Sequence, residues 1–169
     1  MMATAQATPS HKTGFGPHLM MDCRGVDLAK CSDVGYIWQF LHDLPVEIGM
    51  TKITQPYVFP YCGLVPEDQG VTGSVIIAES HLTFHSFTQK DYFFFDLFSC
   101  KPFDVEYVME RVIRAFGVTH PEVHCVERGR EFPRTEADPT RSFTDPTTDF
   151  NTPISVPPVT AAAAGVLVH

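Results

Sequence analysis

Alternating apolar and polar positions predict a β-rich centre for this chain. Short runs of β-branched and aromatic residues, typical of strands, lie at 18–23, 72–78, 82–87, 92–99 and 122–126. The middle three are separated only by short polar or turn-forming stretches, which predicts an antiparallel meander. Residues 50–61 contain Pro56 and Pro60, so we expect an edge strand or an extended segment there.

Two segments have the apolar spacing of helices. Apolar residues recur every three or four positions in 34–44, where we expect Asp33 to cap the helix and Pro45 to end it. A second apolar stripe occupies 105–116, with Asp104 as its N-cap. An antiparallel sheet with two amphipathic helices predicts an α+β fold, a two-layer α/β sandwich in which both helices cover one face of the sheet.

Changes in composition mark the limits of the folded part. The length of 169 residues suits one compact domain with a single core. Residues 1–13 contain few large apolar side chains, and residues 130–169 are rich in Pro and Thr. Because such segments bury too little surface to offset the entropy of ordering, we expect a flexible N-terminus, a domain at 14–129 and a mostly disordered tail.

Charge and hydropathy narrow the classes of partner. The chain has 12 Lys and Arg against 20 Asp and Glu, a formal net charge of −8. This balance argues against nucleic acid, whose phosphates attract a basic face, and suits a cationic small molecule. No apolar run reaches the roughly 18 residues that span a bilayer, and no N-terminal segment has the pattern of a secretory signal. We therefore expect a cytoplasmic protein without a membrane partner.

Residues able to carry chemistry concentrate in one part of the predicted sheet. They are Glu79, Ser80, His81, His85, Asp96 and Cys100. If 80–87 and 92–99 pair as a hairpin, the residues near Cys100 return beside those near Ser80. A hydroxyl, an imidazole and a thiol then converge, and these groups serve nucleophilic and acid–base catalysis.

Three kinds of site are compatible with these residue types. A serine hydrolase needs an acid to orient its histidine, and Asp96 is a candidate, although the chain has no GxSxG motif. Cys100 and His85 are a candidate nucleophile and base. His81 and His85 share strand parity, so together with a cysteine they are candidate metal ligands. The residue types alone leave all three open.

A longer stretch of the same region resembles a known family. Residues 70–85 read Gly-Val-Thr-Gly-Ser-Val-Ile-Ile-Ala-Glu-Ser-His-Leu-Thr-Phe-His, and residues 92–100 end in Asp-Leu-Phe-Ser-Cys. This order and spacing resemble the core signature of the bacterial and archaeal S-adenosylmethionine decarboxylases. The specific element is Glu-Ser-His-x-x-x-His followed fifteen residues later by Cys, and a looser likeness extends over roughly 14–129.

The resemblance implies that the chain cuts itself. In this family the proenzyme breaks its Glu-Ser bond, here Glu79–Ser80, which yields chains 1–79 and 80–169. The serine becomes a pyruvoyl group, which is the cofactor, and the resemblance implies no metal. Thr72 takes the position of a processing hydroxyl that hydrogen-bonds the oxyanion, and His85 takes the position of the processing base.

The resemblance also implies a reaction and a subunit partner. The pyruvoyl carbonyl binds the amine of S-adenosylmethionine as a Schiff base and accepts the electrons left by carbon dioxide. Cys100 takes the position of the acid that reprotonates the product, a role that suits a thiol because it holds a proton at neutral pH and releases it readily. The product is the aminopropyl donor for spermidine, and the family likeness implies a homodimer with active sites near the subunit interface.

Two departures from the family pattern bear on the substrate. Where the family has Thr-Trp-Pro-Glu after the processing histidine, this chain has Ser-Phe-Thr-Gln at 86–89. Phe87 keeps an aromatic face, whereas Gln89 lacks a carboxylate suited to a ribose diol or a cation, and both are candidate substrate-binding residues. A pyruvoyl-dependent decarboxylase of arginine or ornithine is therefore an alternative, and so is a non-catalytic subunit that supports an active partner.

Overall fold

A computed structural model of the protein describes residues 14–132 and contains one sheet with helices on one side. The strands are β1 (Gly16–Arg24), β2 (Tyr57–Tyr61), β3 (Gly70–Ile77), β4 (Ser80–Phe87), β5 (Tyr92–Ser99) and β6 (His120–Arg128). The helices are α1 (Leu28–Ser32), α2 (Val34–Glu47) and α3 (Val105–Phe116). The predicted α+β sandwich is confirmed. The predictions for 1–13 and for 133–169 fall outside the described residues.

The strands of the described chain pair antiparallel in the order β2-β3-β4-β5-β1-β6. β3, β4 and β5 are neighbours in space as well as in sequence, which confirms the predicted meander. In the β4–β5 hairpin, Ser80 lies opposite Ser99 and Phe87 lies opposite Tyr92. β2 is an edge strand as predicted, because Pro60 has no N–H to donate to a further strand.

One face of the sheet forms the core with α2 and α3. Alternate strand residues point to this face and are buried, as Leu82 and Phe84 of β4 are. Phe84 stacks on Phe93 and on Phe116 of α3, with ring centroids 4.7 Å and 4.9 Å apart. A fully buried side chain of this size stabilises the fold by about 1.5–3 kcal/mol. This packing holds the strands in register and thereby positions the side chains on the other face.

The helix caps follow the prediction, whereas one helix end does not. Asp33 caps α2 by accepting two backbone N–H groups at 2.8 and 3.0 Å, and Asp104 caps α3. The prediction that Pro45 ends α2 is wrong, because the helix continues to Glu47. Pro45 removes only one helical N–H, and the Ile48 N–H still donates to the last turn at 3.1 Å.

The short helix α1 joins the first strand to the core. Its five residues span little more than one turn, so periodicity does not reveal it. Cys31 of α1 is fully buried, and its carbonyl accepts a hydrogen bond from the Ser86 hydroxyl of β4 at 2.8 Å. The same hydroxyl oxygen accepts the Val71 N–H of β3 at 2.9 Å. Ser86 is thus a buried polar residue with both of its hydrogen-bonding functions satisfied.

The opposite face of the sheet, called the open face below, carries aromatic and titratable side chains. Its members include His18, Asp22, Thr72, Ile76, His81, Thr83, His85, Phe87, Phe94, Asp96 and Phe98. The buried helical side chains belong to the core on the other side, so within 14–132 this face is left to solvent. Phe94 is 38% exposed and Ile76 is 42% exposed as a result. None of the helices in the described range has the length and apolar character needed to cross a membrane.

Candidate active site

The turn between β3 and β4 places the Glu79–Ser80 bond against the end of β5. β3 ends at Ile77 and β4 begins at Ser80, so Glu79 belongs to a two-residue turn. Because Ser80 pairs with Ser99, the next residue along β5 reaches this turn, and the Cys100 N–H donates to the Glu79 carbonyl at 2.9 Å. That carbonyl is therefore polarised by a backbone donor at the point where a nucleophile would attack it.

The Ser80 hydroxyl has an imidazole as its partner. Its Oγ lies 3.0 Å from Nδ1 of His81, the next residue. The backbone at Ser80 has a φ of +158°, at the border of the extended region. Burial is the main cause that lowers the pKa of His81, so this imidazole is neutral at neutral pH. With its proton on Nε2, His81 accepts the serine hydroxyl through Nδ1.

A histidine–aspartate pair lies beside His81 on the open face. His18 Nε2 is 3.4 Å from Asp96 Oδ1, and the Thr83 hydroxyl donates to the other carboxylate oxygen at 3.1 Å. The contact with His18 is the main cause that holds the pKa of Asp96 below its usual range. The Phe98 ring lies between the two imidazoles. Its centroid is 5.5 Å from that of His18 and 6.0 Å from that of His81.

Thr72 and His85 form a second cluster farther along the sheet. They face each other across β3 and β4, and Thr72 Oγ1 lies 2.5 Å from His85 Nδ1. Phe87 packs edge-on against the His85 ring with centroids 4.6 Å apart. Burial lowers the pKa of His85, so it too is a neutral imidazole able to accept a proton. Gln89 is exposed in the turn after β4.

Strand geometry keeps the two clusters apart within one chain. Ser80 and His85 are five residues apart on β4, so their Cα atoms are separated by roughly 17 Å at about 3.4 Å per residue. We refer to Glu79, Ser80, His81 and Cys100 as the Ser80 group, and to Thr72, His85, Phe87 and Gln89 as the His85 group. The predicted convergence holds for the backbone around Ser80 and Cys100, while His85 lies elsewhere on the sheet.

This separation removes the three alternatives as single-chain sites. Ser80 contacts His81, but the Asp96 carboxylate contacts His18 and Thr83, so the acid of a Ser-His-Asp relay is not on that imidazole. Cys100 lies at the Ser80 end of β4, far from His85, which rules out the nucleophile–base pair within one chain. His81 and His85 are about 13 Å apart along the strand, too far to share one ion. Within residues 14–132 no three His, Cys, Asp or Glu side chains are grouped as metal ligands.

Comparison with known proteins decides the family. The sequence model of the S-adenosylmethionine decarboxylase family matches residues 17–129. The chain is 30% identical over 115 residues to the S-adenosylmethionine decarboxylase proenzyme of Anoxybacillus flavithermus, which covers 68% of this chain and 88% of the relative. It is also 30% identical over 116 residues to S-adenosylmethionine decarboxylase proenzyme 2 of Halalkalibacterium halodurans, covering 68% and 87%. The chain belongs to the S-adenosylmethionine decarboxylase family.

A solved structure supports the family fold. The crystal structure of the adenosylmethionine decarboxylase from Aquifex aeolicus superposes with a TM-score of 0.60, covering 75% of this chain and 98% of that one. At 23% identity this likeness establishes the fold alone. The resemblance carried by residues 70–100 is thus confirmed at the level of the S-adenosylmethionine decarboxylase family, and both the Ser80 group and the His85 group lie inside the matched range.

Sequence reasoning missed two contacts in this member of the family. The hydrogen bond from the Cys100 N–H to Glu79 could have been predicted from the register of the hairpin, because a Ser80–Ser99 pair places residue 100 opposite residue 79. The Ser80–His81 bond had no such signal, because neighbouring residues of a strand normally point to opposite faces. Strand parity predicts His81 only as a candidate metal ligand, whereas its contact with the serine hydroxyl gives it the setting of a base.

Proposed function

We propose that this chain is a self-processing decarboxylase that converts S-adenosylmethionine to the aminopropyl donor used for spermidine. Family membership and the names of the relatives support the reaction. The observation that carries the proposal is the Glu79–Ser80 turn, where the Cys100 N–H polarises the carbonyl that precedes a serine. Such a carbonyl is prepared for attack by the serine hydroxyl, which is the first event of self-cleavage.

The residues around Ser80 fit a pyruvoyl group formed from that serine. Ser80 begins a strand, its hydroxyl contacts an imidazole, and the new chain start would lie at the edge of the sheet beside His81 of the open face. The pyruvoyl group supplies an electron sink for decarboxylation once it has formed. The half-buried Cys100 lies beside the same turn through its backbone N–H, and in this proposal its thiol returns a proton to the product carbon.

The His85 group completes the site from a second copy of the chain. Since Ser80 and His85 of one chain are roughly 17 Å apart, we propose that a second imidazole at Ser80, in addition to its own His81, comes from His85 of the partner subunit. A two-fold dimer through the open face presents each Ser80 group to the other copy's His85 group. The exposed aromatic side chains on this face, including Phe94 and Phe59, supply apolar surface for such a contact. We therefore propose a homodimer of cut protomers with two shared active sites.

The substrate-binding residues of the proposal are Phe87 and Gln89. Both belong to the His85 group, so in the proposed dimer they would lie near Ser80 of the other copy, where the substrate binds. Phe87 offers an aromatic face, and the exposed amide of Gln89 stands where the family usually has a carboxylate. The formal charge of −8 favours a cationic sulfonium substrate. The missing carboxylate is the one observation that favours the second candidate, decarboxylation of arginine or ornithine.

Intact-mass measurement of the purified protein tests the self-cleavage. We expect two chains that meet at the Glu79–Ser80 bond, with the mass of a pyruvoyl group in place of Ser80. The Ser80→Ala variant is expected to remain one chain. An active protein that is uncut and retains an ordinary Ser80 would contradict the proposal.

Release of carbon dioxide from three substrates tests the reaction. S-adenosylmethionine, arginine and ornithine are supplied separately to the cut protein, with Ser80→Ala as the inactive control. We expect turnover of S-adenosylmethionine. Turnover of arginine or ornithine instead would establish the second candidate, and a cut chain that processes none of the three would indicate a supporting subunit.

A further inference from the structure

His81 is the imidazole nearest to the serine that starts self-cleavage. Its Nδ1 lies 3.0 Å from Ser80 Oγ in the same chain, whereas His85 of that chain is roughly 17 Å away along β4. The carbonyl under attack belongs to Glu79 and is held by the Cys100 N–H at 2.9 Å. One chain therefore carries a nucleophile, a base and an oxyanion donor around a single peptide bond.

The surroundings of His81 keep it in the form that accepts a proton. Burial lowers its pKa, and the positive charges of neighbouring strands act in the same direction. The groups facing it are His18 from β1, Arg128 from β6 and Asp96 from β5, of which only Asp96 raises the pKa. Its partner across β3 is the uncharged Ile76. His81 is thus neutral at neutral pH and hydrogen-bonded to the reacting hydroxyl.

We infer that His81 is the general base and acid of the first step of self-cleavage, the transfer of the Glu79 acyl group from nitrogen to oxygen. This inference rests on the proposed self-cleavage at Ser80. Nδ1 takes the hydroxyl proton while Ser80 Oγ bonds to the Glu79 carbonyl carbon, and the carbonyl electron pair moves onto the oxygen held by Cys100 N–H. When the C–N bond breaks, His81 returns that proton to the leaving nitrogen. The product is an ester with a free amine, and nothing else is consumed.

This assignment divides two proton transfers between two histidines. The acyl transfer needs a base at Ser80 Oγ, which His81 already contacts in a single chain. The later elimination removes the proton on the Ser80 Cα and releases the Glu79 carboxylate, and it falls to His85 of the partner subunit. A chain that lacks His85 is therefore expected to stop at the ester, whereas a chain that lacks His81 is expected to stop before it.

The stage at which each variant stops tests the inference. Hydroxylamine cuts esters and leaves ordinary peptide bonds intact, so it distinguishes the two stalled forms by mass. The test compares two variants of His81, His81→Ala and His81→Gln, with His85→Ala. Ser80→Ala serves as the uncut reference, and Ile76→Ala is a matched control on the open face. We expect both His81 variants to cut themselves about 100-fold more slowly or worse and to resist hydroxylamine. Added imidazole is expected to restore cleavage to His81→Ala.

The control and His85 variants give the complementary results. Ile76→Ala is expected to cut itself normally, and His85→Ala is expected to be cut by hydroxylamine between residues 79 and 80. His81→Gln keeps a polar side chain of similar length without a titratable ring, and its melting temperature is compared with that of Ser80→Ala. Cleavage of His81→Gln at the wild-type rate would overturn the inference, and so would a hydroxylamine-sensitive ester in either His81 variant. An uncut wild-type chain would instead overturn the proposed function.

The pH dependence of the wild-type chain gives a readout that needs no substitution. Because its pKa lies below the ordinary histidine value of 6.5, the His81 imidazole becomes protonated, and can no longer accept a proton, only at a pH below that value. We expect the rate at which freshly translated chain forms the ester or its products to be level at neutral and alkaline pH and to fall on acidification below the ordinary histidine value of 6.5. A rate that stays constant or rises on acidification would contradict the role of His81.

Discussion

Co-expression of two inactive variants tests whether each active site is assembled from two chains. Ser80→Ala removes the nucleophile of the Ser80 group, and His85→Ala removes the imidazole of the His85 group. The two residues lie roughly 17 Å apart in one chain, whereas proton transfer needs heavy atoms within about 3.2 Å. In a mixed two-fold dimer, one site therefore combines both substitutions and the other site combines neither.

The expected recovery follows from random pairing. Equal amounts of the two chains give mixed dimers as about half of the total, and each mixed dimer has one intact site out of two. We therefore expect about a quarter of the wild-type rate of S-adenosylmethionine decarboxylation and about a quarter of all chains cut. Every cut chain is expected to carry the His85→Ala substitution, since the Ser80→Ala chain has no nucleophile.

Activity and intact mass together measure this recovery. Separate affinity tags on the two chains isolate the mixed dimers and show that they formed. A matched mixture of Ser80→Ala and Cys100→Ala, both in the Ser80 group, is expected to stay at or below the low rate of Cys100→Ala alone, because each site keeps one defect. Purified mixed dimers of Ser80→Ala and His85→Ala that stay uncut and inactive would refute the shared site.

Three further substitutions test separate parts of the account. Ser86→Ala, made in the uncut Ser80→Ala chain, removes a buried hydroxyl with two backbone partners. We expect the free energy of unfolding in urea to fall by about 1–3 kcal/mol, and an unchanged midpoint would contradict this. Cys100→Ala keeps the backbone N–H, so we expect normal cutting but about 100-fold slower decarboxylation, and a variant that stays uncut would argue against this division of roles. Gln89→Glu is expected to lower KM for S-adenosylmethionine up to about fivefold without affecting cutting, and a raised KM would separate residue 89 from the substrate.

The sheet was predictable because burial on one face decides it. Leu82 and Phe84 alternate with polar residues since they must meet the helices, and that alternation is visible in the sequence. The end of α2 was not predictable in the same way. Pro45 normally stops a helix, but here it occupies the last turn, where the loss of one N–H is tolerated and its ring is buried.

The site was predictable in its residue types and only partly in its geometry. The Ser80–Ser99 register follows from the hairpin and brings Cys100 to Glu79. The distance between Ser80 and His85 also follows from counting residues along one strand. The same count places His81 and His85 about 13 Å apart, so their shared parity does not mean contact. The Ser80–His81 bond depends on the backbone at the start of β4, which no periodic pattern encodes.

The strand order has a consequence for the protein once it is cut at Glu79–Ser80 as proposed. Chain 1–79 provides β1, β2 and β3, and chain 80–169 provides β4, β5 and β6, yet β1 is inserted between β5 and β6. The two products are interleaved, and separating them breaks the ladders β3/β4, β5/β1 and β1/β6 together. Maturation thus leaves two polypeptides that hold each other in place. Denaturation of the mature form turns refolding into an encounter between two molecules, whose yield falls on dilution, whereas the precursor folds as one.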